Sequence, residues 1–288
     1  MIPSPMRSLF AAVLVLITGC SSPEHPAATD AIADGDRLLD AGDAAGAVEA
    51  FTRAIALAPD SAYVWFRRGE AKHLLGDEAG SATDLSEAIR LNLKDAMAWY
   101  KRGNARKAQG DFAGAADDYT HALEIRTRPE FHRARGHAWF GLGDWKRAVA
   151  DLTEAVIGQA PGTGLDYTRL ELCLARIRAG ERDAGVAEMK RYFRQSRPTM
   201  ESAWARNLAA FLEGELPEED LLLTASSSEG EVKRSRTCEV SFYAGVMRIV
   251  NNDPAGAKPL LEKCIENRLP GYIEPDLAAA ELKRLESK

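Results

Sequence analysis

Residues that could do chemistry are sparse in this chain of 288. Its four cysteines stand at positions 20, 173, 238 and 264. Two of its histidines, His132 and His137, are five apart and share no helical face. A zinc hydrolase wants HExxH, a dithiol redox centre CxxC, a phosphate cradle a Walker loop, and acyl transfer a GxSxG elbow. None of these occurs. Carboxylates are abundant, but they fall at capping and solvent positions, so no acid–base pair can be argued. Cys173 has no histidine close in sequence and reads as a buried apolar filler. The expectation is a chain with no catalytic residue, no metal site and no cofactor. The chemistry left to it is guanidinium–carboxylate pairing, thiol oxidation between Cys238 and Cys264, and modification of Cys20.

Composition narrows the class. Hydrophobic residues make up 45%, charged residues 28% and aromatics 7%, the balance of a folded chain rather than a disordered one. Alanine-rich, aromatic-poor sequences favour closely packed helices. The formal charge of −6 argues against a nucleic-acid binder, which needs surplus Lys and Arg to neutralise phosphates.

The first twenty residues read as a targeting segment. Arg7 precedes an apolar run, Leu9–Ile17, of nine residues. A membrane-spanning helix needs about 20, so this run has the length of a secretory signal instead. It ends in Ile17-Thr18-Gly19-Cys20, which resembles the lipobox of bacterial lipoproteins. The resemblance implies cleavage before Cys20 and lipid on its thiol. Several acyl chains on one residue would hold the chain stably on a membrane. Ser21 after the cysteine implies, by the enteric sorting rule, an outer-membrane destination facing the periplasm. On this reading residues 1–19 are the signal peptide and 20–30 a lipidated tether.

The rest of the chain repeats. Gly35, Gly69, Gly103 and Gly136 recur at intervals of about 34 residues. Seven positions after each stand Gly42, Gly76, Gly110 and Gly143. Further on come Ala47, Ser81, Ala115 and Ala148, then Phe51, Leu85, Tyr119 and Leu152, then Ala54, Ala88, Ala122 and Ala155. This pattern resembles the tetratricopeptide repeat, a helix–turn–helix unit. The small residues let two helices approach closely, and the bulky ones fill the groove between units. The second glycine suits a left-handed cap, and Asp77, Asp111 and Asp144 after it suit a helix N-cap. The resemblance implies an all-α fold, a right-handed superhelix of helical hairpins. Residues 31–198 hold five units, the last degenerate with Cys173 in the glycine position. Residues 199–230 form an irregular helical connector. Residues 231–288 form a similar hairpin, in which Gly245, Ala257, Leu261 and Cys264 keep the spacing, and a terminal helix capping the open end. Pro259 falls inside a helix there and is expected to kink it.

Three Arg–Asp pairs recur sixteen residues apart: Arg68 with Asp84, Arg102 with Asp118, Arg135 with Asp151. In an antiparallel hairpin those positions face each other, so they predict ion pairs tying the first helix to the second. The first unit has Asp34 and Ala50 there and lacks the pair.

The inner face of each first helix is the expected working surface. It carries Tyr63, Phe66, Glu70 and His73, then Met97, Tyr100, Asn104 and Lys107, then Glu130, Arg133, His137 and Phe140. Spacings of three and four keep each set on one face. An apolar strip bordered by mixed charge suits a peptide or a partner helix, with Trp65 and Trp99 left to the core. Asn104 resembles the asparagine of carboxylate-clamp repeats, but Tyr100 stands where the clamp has lysine. Cys238 and Cys264 lie on facing helices of the last hairpin and form a candidate disulfide, since an exported protein meets oxidising conditions.

The last third also resembles the NlpI type of outer-membrane tetratricopeptide lipoproteins, through Trp204, Phe211-Leu212-Glu213-Gly214, Leu221, Ala225, Glu239, Phe242-Tyr243-Ala244-Gly245, Asp253, Glu274 and Glu281-Leu282. That resemblance implies a dimeric, non-enzymatic adaptor of the cell envelope. It would bring a processing protease together with peptidoglycan hydrolases, with membrane contact through Cys20 and no nucleic acid. Two alternatives stay open: a pilotin or outer-membrane assembly accessory, and an envelope enzyme acting on peptidoglycan.

Overall fold

In a computed structural model describing residues 26–160, 162–199 and 202–287, the chain forms fifteen helices, with no strand among the described residues. The signal segment and Cys20 lie outside the described residues.

Five helical hairpins stack first. They are α1 (Pro26–Asp40) with α2 (Ala44–Leu57), α3 (Ala62–Leu74) with α4 (Glu78–Arg90), and α5 (Ala96–Ala108) with α6 (Phe112–Ile125). Next come α7 (Pro129–Leu142) with α8 (Trp145–Gly158) and α9 (Thr163–Arg178) with α10 (Arg182–Gln195). Three local devices shape the hairpins. Gly42, Gly76, Gly110 and Gly143 end the first helices at φ of 83°, 78°, 80° and 80°, a backbone that glycine adopts without strain. The aspartate that follows caps the second helix. Asp43, Asp77 and Asp111 each accept a bond of 2.9 Å from a glycine N–H three residues on, and Asp144 one of 3.1 Å from Arg147. Each bond satisfies an otherwise orphaned donor. The third device is the seam. A Cβ on Gly103 would fall 2.6 Å from the Tyr119 ring, and one on Gly35 2.5 Å from Phe51, so only glycine permits these helices to touch.

The connector is helical, with α11 (Ala203–Glu213) and α12 (Glu218–Ser226), and leads to α13 (Gly230–Val250), α14 (Pro254–Glu266) and α15 (Glu274–Glu286). Three features add to the expected organisation. Helix α1 opens at Pro26, inside the stretch read as tether; proline is well tolerated in a helix's first turn, where its missing N–H is no loss. Helix α14 runs through Pro259 without ending. Pro259 and Ala255, whose carbonyl loses its partner, are both exposed, so water can satisfy that oxygen. Helix α15 packs on α13 and α14 but also turns back onto α7, instead of only capping the stack. Arg284 donates to the carbonyl of Gly141 at 2.7 Å, left without a helix partner at the end of α7, and to that of Phe140 at 3.2 Å, which also accepts from Gly143.

The core divides accordingly. One large apolar cluster joins α7–α10 to α11–α15, from Phe112 through Leu174, Leu208 and Tyr243 to Ala278. The first three hairpins hold only small local clusters, such as Phe51 with Val64 and Ala71.

Candidate functional site: the inner groove

The hairpins are fastened by a repeated guanidinium clamp. Arg68 donates two bonds to Asp84, at 2.7 and 2.8 Å, and a third to the Thr52 hydroxyl at 3.1 Å. Arg102 does the same with Asp118 and Ser86, and Arg135 with Asp151 and Thr120. Each arginine thus ties its own hairpin together and reaches the second helix of the preceding one. The aspartates are buried, and each meets a further basic group: Lys72, Arg106 or His132. The arginines lie over Trp65 and Trp99. Those tryptophans are half-buried, not core. The Trp65 indole donates to the Pro59 carbonyl, and Trp99 stacks on His121.

A second ladder runs along the inner face. At three of the four junctions the residue after the seam glycine meets the residue two before the seam position of the next unit; the fourth places Asn104 and Ala134 there and has no rung. Arg67 lies 2.7 Å from Asp36, and Lys101 lies 2.9 Å from Glu70. The polarity then reverses: His137 lies 3.0 Å from Glu171. Sequence reading singled out Glu70 and His137 but not their partners. The spacing was available, because Glu171 holds the same phase before Cys173 that Arg67 holds before Gly69.

In the first three hairpins the groove is open. Tyr63 is 45% exposed, and its hydroxyl donates to Asp36 at 2.9 Å. Burial and that hydrogen bond push its pKa up. Phe66 and Met97 are half-buried, while His73 is exposed with Nδ1 2.9 Å from Glu78. Tyr100 is half-buried against Phe131 and Tyr119, with ring centroids 4.9 and 5.8 Å away. Asn104 accepts from the Tyr119 hydroxyl at 2.7 Å, so its amide oxygen already has a donor.

Toward the fourth and fifth hairpins the inner face is more enclosed, and His137 is corrected from groove to core. His137 is buried. Arg133 clamps Glu171 with bonds of 2.8 and 2.5 Å. Lys107 is half-buried, and burial pushes its pKa down against the pull of Asp276. The physical reason is the return of α15, whose buried first turn supplies Glu274 and Asp276 to this cluster. Glu130, at the rim, pairs with Arg128 at 3.0 Å. Phe140 is buried against Trp145 and Phe242.

The enclosed carboxylates split by partner. Burial opposes charge on Glu171, yet Arg133 and His137 overcome it and hold the carboxyl well below the usual range. Burial and the Glu274 charge push Glu239 up to about 8, although the Trp204 indole and the Tyr167 hydroxyl donate to it. Burial and the Glu171 charge raise Glu274 to about 7. Among the described residues no group of three or more His, Cys, Asp or Glu is placed to hold a metal ion. No helix among them is long and apolar enough to cross a membrane. Cys173, Cys238 and Cys264 are buried free thiols, and the last two have Sγ atoms 2.8 Å apart.

Residues 32–96, 75–127 and 100–163 match the family model of the tetratricopeptide repeat. No curated protein matches the chain. Among solved structures, a tetratricopeptide repeat protein from Parabacteroides merdae aligns with TM-score 0.60 at 14% identity, over 90% of this chain and all of its own, 100%. A MamA protein aligns with TM-score 0.54 at 19% identity, over 66% of this chain and 93% of its own. The MamA of Desulfovibrio magneticus gives 0.53 at 15%, over 60% and 99%. These likenesses concern the fold. With its phased glycines, its capped hairpins and a matching family model, the stretch 32–163 consists of tetratricopeptide repeats.

Proposed function

We propose that the chain is a lipid-anchored adaptor of the bacterial envelope, which holds partner proteins or peptides in the open part of its inner groove. The observation that carries docking is the contrast between paired charge and unpaired apolar surface. Asp36, Arg67, Glu70 and Lys101 neutralise one another along the groove, while Tyr63, Phe66 and Met97 keep surface for a guest. A partner helix or extended peptide would cover that strip without having to displace a buried charge. Anchoring rests on the Ile17-Thr18-Gly19-Cys20 segment alone. The NlpI-type resemblance extends the proposal to peptidoglycan hydrolases and a protease as guests, and to a homodimer.

Two experiments test this reading separately. A photoreactive residue at Phe66, in the chain expressed with its own N-terminal segment, should trap a protein, and one at Arg133 should not. No adduct at Phe66 under native expression would count decisively against the groove. Feeding cells an alkyne fatty acid should label the wild type and not Cys20→Ser; an unlabelled, freely soluble wild type removes the anchor.

A further inference from the structure

We infer that Cys238 and Cys264 form an intramolecular disulfide that fastens α13 to α14. The repeat supplies the first argument. Counted from the seam glycines, these cysteines hold the phase of Ala28 and Ala54, of Ala62 and Ala88, and of Ala96 and Ala122. The first three hairpins fill this facing pair with two alanines, the fourth with Pro129 and Ala155, and the fifth with Asp166 and Tyr192, whose hydroxyl donates to that aspartate across the pair. In the last hairpin both are replaced, and both by cysteine. Geometry supplies the second argument. Both side chains are buried, and their Sγ atoms lie 2.8 Å apart, so the bond needs only a small approach of two thiols already in contact. Cys173, the third thiol on the described helices, sits on α9 with no cysteine beside it among the described residues and serves as the internal control.

The position explains what the bond would do. Helix α14 packs on α13 and α15 and carries Pro259, which removes one of its backbone bonds. Helix α13 carries Glu239 and Tyr243 into the enclosed cluster. A covalent tie between α13 and α14 therefore holds the proline-interrupted helix against the one that carries Glu239 and Tyr243 into the enclosed cluster. Chemically, the bond forms by exchange with a small disulfide. One thiolate attacks it and releases a thiol, leaving a mixed disulfide. The second thiolate then displaces the remaining group as a second thiol. Two protein thiols are oxidised and one external disulfide is reduced to two thiols. Burial pushes the Cys264 thiol far up, so little thiolate exists in the folded chain. The bond closes during folding, and it is a fastening and not a switch.

The inference does not depend on where the protein resides or on what it binds. The full chain is unfolded, refolded in a mixture of reduced and oxidised glutathione, denatured again and alkylated. Peptide mapping should find the Cys238 and Cys264 peptides linked and Cys173 alkylated. Both peptides alkylated would overturn the proposal. On thermal melting, reductant should lower the midpoint of the oxidised chain by roughly 5 °C or more. Cys238→Ala and Cys264→Ala restore the alanine of the first three hairpins, so they should fold and lose that sensitivity, whereas Cys173→Ala keeps it. A wild-type midpoint indifferent to reductant, or sensitivity lost in Cys173→Ala, would equally overturn it.

Discussion

The inner faces of α3 and α7 hold the same phase of the repeat and meet opposite fates. Phe66 and Glu70 on α3 correspond to Arg133 and His137 on α7. The first pair lines an open groove, and the second is walled in by Glu171 and by the first turn of α15. The repeat alone does not decide whether an inner position is surface or core. What decides it is whether a later part of the chain returns to cover that position. Where it returns, charges are buried and must be matched; where it does not, apolar side chains stay half-exposed.

The largest expected effect separates the two ladders. Glu171→Ala leaves buried His137 and half-buried Arg133 without their acid and should cost about 3 kcal/mol. Glu70→Ala, at a half-buried rung whose partners Arg67 and Lys101 reach solvent, should cost about 1 kcal/mol. Urea titration of both variants measures this, and equal losses would erase the distinction between the halves. Of similar size, Leu277→Ala opens a cavity under α15 and should cost about 2–4 kcal/mol. Hydrogen exchange should show the protection of α13–α15 falling while that of α3–α5 stays.

A pH dependence comes third. Glu239 and Glu274 have folded pKa values of about 8 and about 7, above the unfolded carboxyl value. The folded state therefore holds more protons than the unfolded one between the unfolded value and about 8. Stability from the protonated carboxyls is full below that window and is lost as pH rises through it. The melting midpoint should fall as pH goes from about 5 to about 8, and Glu239→Gln should flatten the slope. The smallest effect belongs to the open groove. Tyr63→Phe loses one exposed hydrogen bond to Asp36 and should move stability by about 0.5 kcal/mol or less. Phe66→Ala should lower guest capture with little change in melting.

The hairpins were legible in the sequence because each rests on a local rule: a glycine whose φ must be positive, an aspartate after it, a bulky residue against a glycine. The clamps were legible for the same reason, since Arg68 and Asp84 are fixed by the hairpin they share. The return of α15 was not. It depends on contacts such as Arg284 with Phe140 and Arg178 with Glu281, between residues more than a hundred positions apart, and no periodicity signals them. Missing that return is why His137 read as groove.

The arginine clamp has a directional consequence. Each clamp belongs to one hairpin and reaches backward to a hydroxyl on the hairpin before it. The first hairpin, with Asp34 and Ala50 in those positions, has no clamp of its own and is held by the grip of Arg68 on Thr52, the Arg67 and Tyr63 contacts to Asp36 and the small Phe51 cluster. At the opposite end, long-range ties knit the last helices into the stack. Under heat or a pulling load, the rod should therefore fray from its amino-terminal hairpin, one repeat after another, while the carboxy-terminal end unravels last.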